Sequence, residues 1–190
     1  MVNIALVGCN GKMGKAVTSA VQSRNDCEIV FGADPFGTPA YDYPVFESLA
    51  VSDKKADVII DFSNPASLDD ILAYALEKKI PCVLCTTGYS PEQVEKIKKA
   101  SESVAVFYSG NMSLGINLLI ELSKEAAKIL GAADFDIEIV EKHHNQKIDA
   151  PSGTALMIAD GISDTLAEEP QYVYDRHSYR KKRSKNEIGI

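Results

Sequence analysis

The sequence predicts an α/β fold, with an N-terminal Rossmann-type doubly wound parallel sheet followed by an α+β domain that has an open mixed sheet. Three observations lead to this prediction. Short apolar segments alternate with amphipathic segments of helical length up to residue 112. Three glycines directly follow the first apolar segment. Beyond residue 112 the alternation stops, so we expect one domain over residues 1–112 and a second over residues 113–190.

The first strand and its turn are predicted from the opening residues. Five of the six residues 2–7 are apolar, which is typical of a strand buried on both faces of a parallel sheet. Gly8, Gly11 and Gly14 follow, and residues 15–23 are predicted to form a helix. A glycine turn between strand and helix lets the backbone approach a pyrophosphate, whose charge then faces the helix N-terminus.

A second predicted strand, residues 28–34, ends in a carboxylate. Asp34 lies 26 residues after Gly8, near the offset of roughly 20 at which an acid binds the adenosine ribose. An aspartate before Pro35 could also be an ordinary turn residue, but the order of strand, glycine turn, helix, strand and acid favours a dinucleotide site. The carboxylate favours NADH because it repels the 2′-phosphate of NADPH, whereas Lys12 could offset that repulsion. We therefore predict NADH or NADPH.

Further strand–helix units should extend the same sheet. Strands are predicted over residues 56–63, 82–85 and 104–108, and helices over residues 64–79 and from Ser90 onward. Ligands of such sheets bind beyond the carboxyl ends of the strands. The glycine turn, the turn at 86–88 and the turn at 109–113 should therefore line one crevice.

The second domain is predicted to start with a long amphipathic helix over residues 114–130, ended by Gly131. Residues 135–141 alternate apolar and acidic side chains, which predicts a strand with one buried face. A helix is expected over residues 153–167 and a polar stretch over residues 168–186.

The composition indicates a soluble enzyme. Hydrophobic residues make up 45% of the chain, the net charge is −7 and the pI is near 5.0, which argues against nucleic acid as a partner. No apolar run reaches the length of a membrane span, and the chain enters its first strand directly. We expect no signal peptide, no membrane partner and a cytoplasmic location. Six of the ten residues 176–185 are Arg or Lys, and we interpret them as a solvated loop.

The positions of the cysteines predict no metal site and no disulfide bond. The chain has four of them, Cys9, Cys27, Cys82 and Cys85. Residues three apart on a strand point to opposite faces, so Cys82 and Cys85 should not coordinate the same metal ion. We interpret both as small buried hydrophobic residues, and we expect no metal.

The segment from Glu141 to Ala155 carries the most specific chemistry. It holds two histidines, a lysine and a Ser-Gly-Thr turn that opens a helix. Histidine can transfer protons near neutral pH, and lysine carries a compact positive charge. The N–H groups of a helix start bind anions. These residues are suited to the reduction of a small acidic molecule.

The chain resembles the 4-hydroxy-tetrahydrodipicolinate reductase family, also called dihydrodipicolinate reductase, along nearly its whole length. The motifs that carry the resemblance are Gly8-x-x-Gly11-Lys12-Met13-Gly14, Asp61-Phe62-Ser63-x-Pro65, Thr86-Thr87-Gly88, Asn111-Met112-Ser113 and the segment 141–155 with Asp149-Ala150-Pro151 at its centre. The resemblance implies the reduction of a cyclic dicarboxylate in the diaminopimelate route to lysine, with loss of water. It also implies a homotetramer.

The resemblance further implies roles for individual residues. His143 is the expected general acid, with Lys147 as its partner in proton donation and carboxylate binding. The expected substrate-binding residues are His144, Lys147, Ser152, Gly153 and Thr154. The expected cofactor-binding residues are Gly8, Cys9, Asn10, Gly11, Lys12, Met13, Asp34, Cys85, Thr86, Thr87, Ser109, Gly110, Asn111 and Met112.

Three departures from the family pattern accompany the resemblance. Cys85 stands where the family usually has a glycine, Lys12 replaces the more usual arginine, and the chain stops where the family enters a further strand. We therefore expect a fragment that is weakly active or inactive and prone to aggregation.

Two other classes of function stay open. A semialdehyde dehydrogenase would need a nucleophilic cysteine in the second domain, and no cysteine follows Cys85. A non-catalytic dinucleotide sensor would have no reason to keep His143, His144 and Lys147 beside an anion pocket.

Overall fold

The structure is a computed structural model that describes residues 1–37, 41–147, 150–178 and 180–190. The chain divides into two compact units, residues 1–110 and 111–190. The domain boundary that we predicted after residue 112 lies two residues from this division and stays a prediction.

The first unit contains a six-stranded parallel sheet. Its strands are β1 (Val2–Val7), β2 (Cys27–Ala33), β3 (Val45–Phe46), β4 (Val58–Asp61), β5 (Cys82–Leu84) and β6 (Val106–Tyr108). Its helices are α1 (Lys12–Gln22), α2 (Leu68–Lys78) and α3 (Pro91–Ser101), with 3₁₀ turns at Leu49–Val51 and Pro65–Ser67. The strand order is β3-β2-β1-β4-β5-β6, which is the Rossmann order. The predicted doubly wound sheet is confirmed.

The central strand β1 buries side chains on both faces of the sheet. Ala5 and Val7 belong to one buried cluster, and Ile4 and Leu6 belong to another. Successive side chains of a strand alternate between faces, so these clusters pack on opposite sides. This is why the N-terminal segment is apolar almost throughout.

Several element limits in this unit differ from the prediction. α1 begins at Lys12 rather than at residue 15, because Gly11 takes the N-cap position. The predicted helix over residues 64–79 is a 3₁₀ turn followed by α2. Strand β3 was not predicted, since its two residues are defined only by pairing with Gly32 and Ala33 of β2.

The second unit contains two helices, α4 (Leu114–Ala132) and α5 (Gly153–Ser163), within the described part of the chain. Its strands are β7 (Ile137–Glu138), β8 (Gln171–Val173) and β9 (Glu187–Gly189), with a 3₁₀ turn at Arg176–Ser178. Gly131 lies inside α4 rather than ending it, and α5 ends before residue 167. The predicted strand over residues 135–141 is reduced to the two residues of β7.

The small sheet of the second unit is parallel in its described pairs, whereas the sequence predicted a mixed sheet. β9 lies between β7 and β8 and is parallel to both. An alternating pattern shows which face of a strand is buried but carries no information on strand direction.

The basic segment 176–185 is not a fully solvated loop, so this interpretation was wrong for two of its residues. Arg176 forms an ion pair with the buried Glu187 of β9. Arg183 pairs with Glu138 of β7 and donates to the carbonyl oxygen of Glu187 at 3.1 Å. The acidic partners lie on strands, so the sequence spacing of the basic residues did not indicate these contacts.

None of the helices in the described residues is both long enough and apolar enough to cross a membrane.

Candidate functional site

The glycine turn after β1 is too tightly packed to accept larger residues. Gly8 has a φ of +75°, and a Cβ there would lie 2.5 Å from the carbonyl oxygen of Phe62. A Cβ on Gly14 would overlap the backbone of Gly8 and Cys9. Gly11 caps α1 without any side-chain hydrogen bond, which leaves the first-turn N–H groups of the helix available to an anion.

Asp34 is fixed directly beside this turn. Its Oδ2 accepts from the backbone N–H of Asn10 at 3.0 Å, and its Oδ1 accepts from the N–H of Phe36 at 2.9 Å. The side-chain amide of Asn10 donates to the carbonyl of Phe36 at 2.6 Å. The hydroxyl of Tyr41 donates to the carbonyl of Cys9 at 2.7 Å. The acid and the glycine turn therefore form one hydrogen-bonded assembly.

A cavity of about 540 Å³ opens between these groups, a volume in the range of ligand pockets. Its lining residues are Val7, Gly8, Asn10, Gly11, Ala33, Asp34, Pro35, Phe36, Gly37, Glu47, Ser48, Leu49, Phe62, Ser63, Asn64, Ser67, Asp70 and Ile71. The cavity brings together the glycine turn and the predicted ribose acid. Phe36, which the sequence did not single out, also lines it, and so does Ser63, which a quoted motif contains but to which no role was assigned.

The turns after β5 and β6 lie against each other. A Cβ on Gly110 would lie 3.5 Å from Cγ2 of Thr87, and the N–H of Ser109 donates to the carbonyl of Leu84 at 3.1 Å. Thr86 is buried and Thr87 is exposed. The lining of this cavity does not include these turns, and a crevice shared by all three turns stays a prediction.

The remaining predicted cofactor residues are placed as follows. Lys12 and Met13 are exposed in the first turn of α1, and Asn111 and Met112 belong to the second unit. Burial raises the pKa of the Cys9 thiol to about 11, with the charge of Asp34 adding to the effect. Burial likewise raises the pKa of Cys85 to about 11, together with the charge of Asp61. Both thiols are therefore protonated at neutral pH.

In the second unit, Glu141 connects His143 to the N-terminus of α5. The N–H of Ser152 donates to Oε1 of Glu141 at 2.7 Å, and the hydroxyl of Ser152 donates to Oε2. These two hydrogen bonds are the main reason that the pKa of Glu141 is lowered. Nδ1 of His143 lies 3.6 Å from Oε2 of the same carboxylate.

Ser152 itself is only 3% exposed. Its hydroxyl also caps α5, accepting from the N–H of Ala155 at 3.0 Å. This placement favours a positioning role over the direct substrate contact that the resemblance implied.

The other predicted substrate residues lie in the same unit. His144 accepts through Nδ1 from the N–H of Gln146 at 3.1 Å, and the charge of Lys147 contributes to the lowered pKa of Glu141. Gly153 is exposed, and Oγ1 of Thr154 accepts from the side-chain amide of Asn111 at 3.0 Å. Residues 148 and 149, which belong to the predicted motif, lie outside the described residues. No role was assigned to Glu141 from sequence, although it opens the motif.

The Rossmann strand order, the glycine turn with its acid, and a histidine beside an open helix N-terminus define a dinucleotide-dependent oxidoreductase. The family model described as dihydrodipicolinate reductase, N-terminus, matches residues 2–112, and the one described as its C-terminus matches residues 115–190. The chain belongs to the dihydrodipicolinate reductase family.

Individual relatives agree with this assignment. A 4-hydroxy-tetrahydrodipicolinate reductase of Clostridium tetani is 52% identical over 190 residues, which cover 100% of this chain and 74% of the relative. The enzyme of the same name from Caldanaerobacter subterraneus is 49% identical, with the same coverage. A solved structure of dipicolinate-bound dihydrodipicolinate reductase from Paenisporosarcina sp. superimposes with a TM-score of 0.75 at 25% identity, covering 100% of this chain and 77% of that one.

Proposed function

We propose that this chain reduces 4-hydroxy-tetrahydrodipicolinate to tetrahydrodipicolinate with NADH or NADPH, in the diaminopimelate route to lysine. The observation that carries the proposal is the arrangement of His143, Glu141 and the N-terminus of α5. It combines a proton donor with a site for a carboxylate. The names of the relatives support the choice of substrate.

The first unit fits a nicotinamide dinucleotide. The pyrophosphate would lie against the backbone of Gly8, Gly11 and the start of α1. Any residue larger than glycine at position 8 would collide with the backbone of Phe62. Each oxygen of Asp34 uses one acceptor position on a backbone N–H and keeps another for a ribose hydroxyl. When bound, the cofactor supplies the hydride. We propose the turns at 85–87 and 109–112 as further contacts.

The choice between the two cofactors depends on Asp34. Its carboxylate opposes a 2′-phosphate and favours the free ribose hydroxyls of NADH. Lys12, exposed in the first turn of α1, is the cation that we propose as a counterweight to this repulsion.

The second unit supplies the substrate contacts in this proposal. The first N–H groups of α5, from Gly153 and Thr154, bind one carboxylate of the substrate. His144 and Lys147 bind the dicarboxylate through their polar and charged groups. Ser152 acts through Glu141, which it holds with two hydrogen bonds.

His143 donates the proton in this proposal, and Lys147 assists. The overall reaction consumes one hydride and one proton, and the substrate hydroxyl leaves as water. A proton donor at the reacting centre stabilises the negative charge that develops on the ring nitrogen. Glu141 places a negative charge 3.6 Å from the imidazole, which orients the ring. For the whole protein we also propose a cytoplasmic homotetramer, as the resemblance implies.

Turnover by His143→Ala tests the proposal. NADH and NADPH oxidation are followed at 340 nm with freshly prepared hydroxytetrahydrodipicolinate. We expect kcat to fall about 100-fold or more, as for loss of a general acid, with the Kd of NADH unchanged. His177→Ala is the matched control, because this third histidine is exposed and has no role in the proposed reaction. Unchanged turnover in His143→Ala would refute its role.

A further inference from the structure

Asp61 is a buried carboxylate to which the proposed reaction assigns no role. It is the last residue of β4, where it pairs with Val7 of β1 and Leu84 of β5. Its exposed fraction is 0%, and the described ion pairs do not include it. A buried polar group without water is stable only when hydrogen bonds satisfy it.

Three donors satisfy this carboxylate. The backbone N–H and the hydroxyl of Ser63 donate to Oδ1 at 3.0 and 2.5 Å, and the hydroxyl of Tyr89 donates to Oδ2 at 3.1 Å. Both hydroxyls donate to Asp61, so each already uses its one hydrogen on this carboxyl group. Ser63 lines the cavity, and its hydroxyl can offer only lone pairs to a ligand there.

The same side chain connects turns that lie at one edge of the sheet. Ser63 follows β4, and Tyr89 follows Thr86-Thr87-Gly88 after β5. The turn after β4 in turn packs on the glycine turn, since a Cβ on Gly8 would lie 2.5 Å from the carbonyl oxygen of Phe62. One buried carboxylate therefore anchors the turn after β4 to the turn after β5.

We propose that Asp61 is a positioning residue of the dinucleotide site, which commits the Ser63 hydroxyl as a hydrogen-bond acceptor toward the cavity and holds the turns after β4 and β5 in register. This inference rests on the proposed function. An acceptor at Ser63 suits a hydroxyl or amide N–H of the ligand and disfavours a phosphate oxygen. An asparagine at position 61 has the same shape as aspartate. Its NH₂ group would donate to the facing hydroxyl, which would then accept this hydrogen bond instead of donating one.

NADH binding, followed by nicotinamide fluorescence, tests this inference, and AMP binding reports on the adenosine half alone. We expect Asp61→Asn and Ser63→Ala each to raise the Kd of NADH about tenfold, the effect of losing a hydrogen bond to a charged or oriented group. Ser63→Thr keeps the hydroxyl and should restore binding. The Kd of AMP should stay within about twofold in every variant, because Asp34 and the glycine turn are retained. Equal weakening of NADH and AMP, or a lower thermal midpoint with unchanged Kd, would reduce Asp61 to a role in folding.

A double-variant cycle tests whether Asp61 acts through Ser63. The variant carrying both Asp61→Asn and Ser63→Ala should bind NADH no more weakly than either single variant, since both remove the same acceptor. Fully additive losses would overturn the proposal.

If Asp61→Asn does not fold, Tyr89→Phe provides a second test of the proposal. It removes one donor and should raise the Kd of NADH about threefold, whereas Tyr74→Phe on α2, outside the cavity lining, should have no effect. An unchanged Kd in Tyr89→Phe would contradict the proposal in that case. A wild-type chain that binds no NADH defeats the proposed function and this inference together. Normal NADH binding by Asp61→Asn defeats this inference alone.

Discussion

Glu141 joins the buried and exposed parts of the second unit through one side chain. Its carboxylate accepts two hydrogen bonds from the buried Ser152, and it lies within ion-pair distance of the exposed His143. The hydrogen bonds from Ser152 lower its pKa most, and the charges of His143 and Lys147 lower it further. The proton donor that we propose is thus held by a carboxylate whose own position is fixed by the capping residue of α5.

The lowered pKa predicts a pH-dependent contribution of Glu141 to stability. The folded pKa lies below the ordinary value of 4.5, so the contribution is fully present above pH 4.5 and is lost as the pH falls through the folded pKa. The difference in unfolding free energy between wild type and Glu141→Gln should shrink as the pH falls from about 5 to 3. Denaturant titrations across this range measure it, with Glu102→Gln, an exposed residue of the first unit, as control. A difference that persists at pH 3 would contradict the assignment.

At the level of elements, the sequence predicted the helix and strand ends that local chemistry determines. It did not predict the strands that depend on pairing with a neighbouring strand. The start of α3 is set by a capping box between Ser90 and Gln93, which agrees with the helix start predicted at Ser90. β1 has the predicted limits. β3 and β8 are two and three residues long, and only their neighbours in the sheet define them, so no periodicity could reveal them.

The open N-terminus of α5 leads to a prediction for its first residue. A Cβ on Gly153 would meet no atom within 4 Å, so Gly153→Ala should leave the thermal midpoint unchanged or slightly higher. If a substrate carboxylate lies against this helix start, the added methyl group should crowd it and raise KM for the substrate about tenfold, with little change in kcat. Steady-state kinetics and a thermal scan of the same sample measure both.

Gly161→Ala is the matched control for this variant, since it lies in the same helix. Its Cβ would lie 2.8 Å from Cγ2 of Ile120 in α4, so it should lower the thermal midpoint and leave the KM of the folded protein unchanged. An unchanged KM in Gly153→Ala would exclude substrate from the start of α5.

For the molecule as a whole, the glycine turn and its acid could be predicted because each lies within a local strand–turn pattern. Asp61 and Glu141 stood in the quoted motifs, yet their roles depend on contacts with Tyr89 and Ser152 that sequence spacing does not encode. The cavity beside Ser63 likewise follows from the packing of four strand ends. The aggregation of this chain stays a prediction. The exposed leucines on α4 favour it, because exposed apolar patches promote association.

The two units also differ in how much apolar surface they bury, and this predicts unequal hydrogen exchange. The first unit packs buried clusters on both faces of its sheet, whereas the described core cluster of the second unit has four fully buried residues, Ala127, Ala159, Ile162 and Ile188. Local opening costs least where few apolar contacts are lost. We therefore expect the amides of β1 and β4 to exchange most slowly and those of α5 to exchange much faster, as measured by mass spectrometry of peptides.

NADH should slow exchange most strongly in the first unit. At a concentration 100-fold above its Kd, a ligand stabilises the state that binds it by about 2.7 kcal/mol. The slowest amides of β1 should therefore exchange up to about 100-fold more slowly, while those of α5 should stay within about twofold of their rates without ligand. Inorganic phosphate at the same concentration controls for a general anion effect. Equal protection of β1 and α5 by NADH would contradict this prediction, because stabilisation by binding reaches only those amides whose opening also releases the ligand.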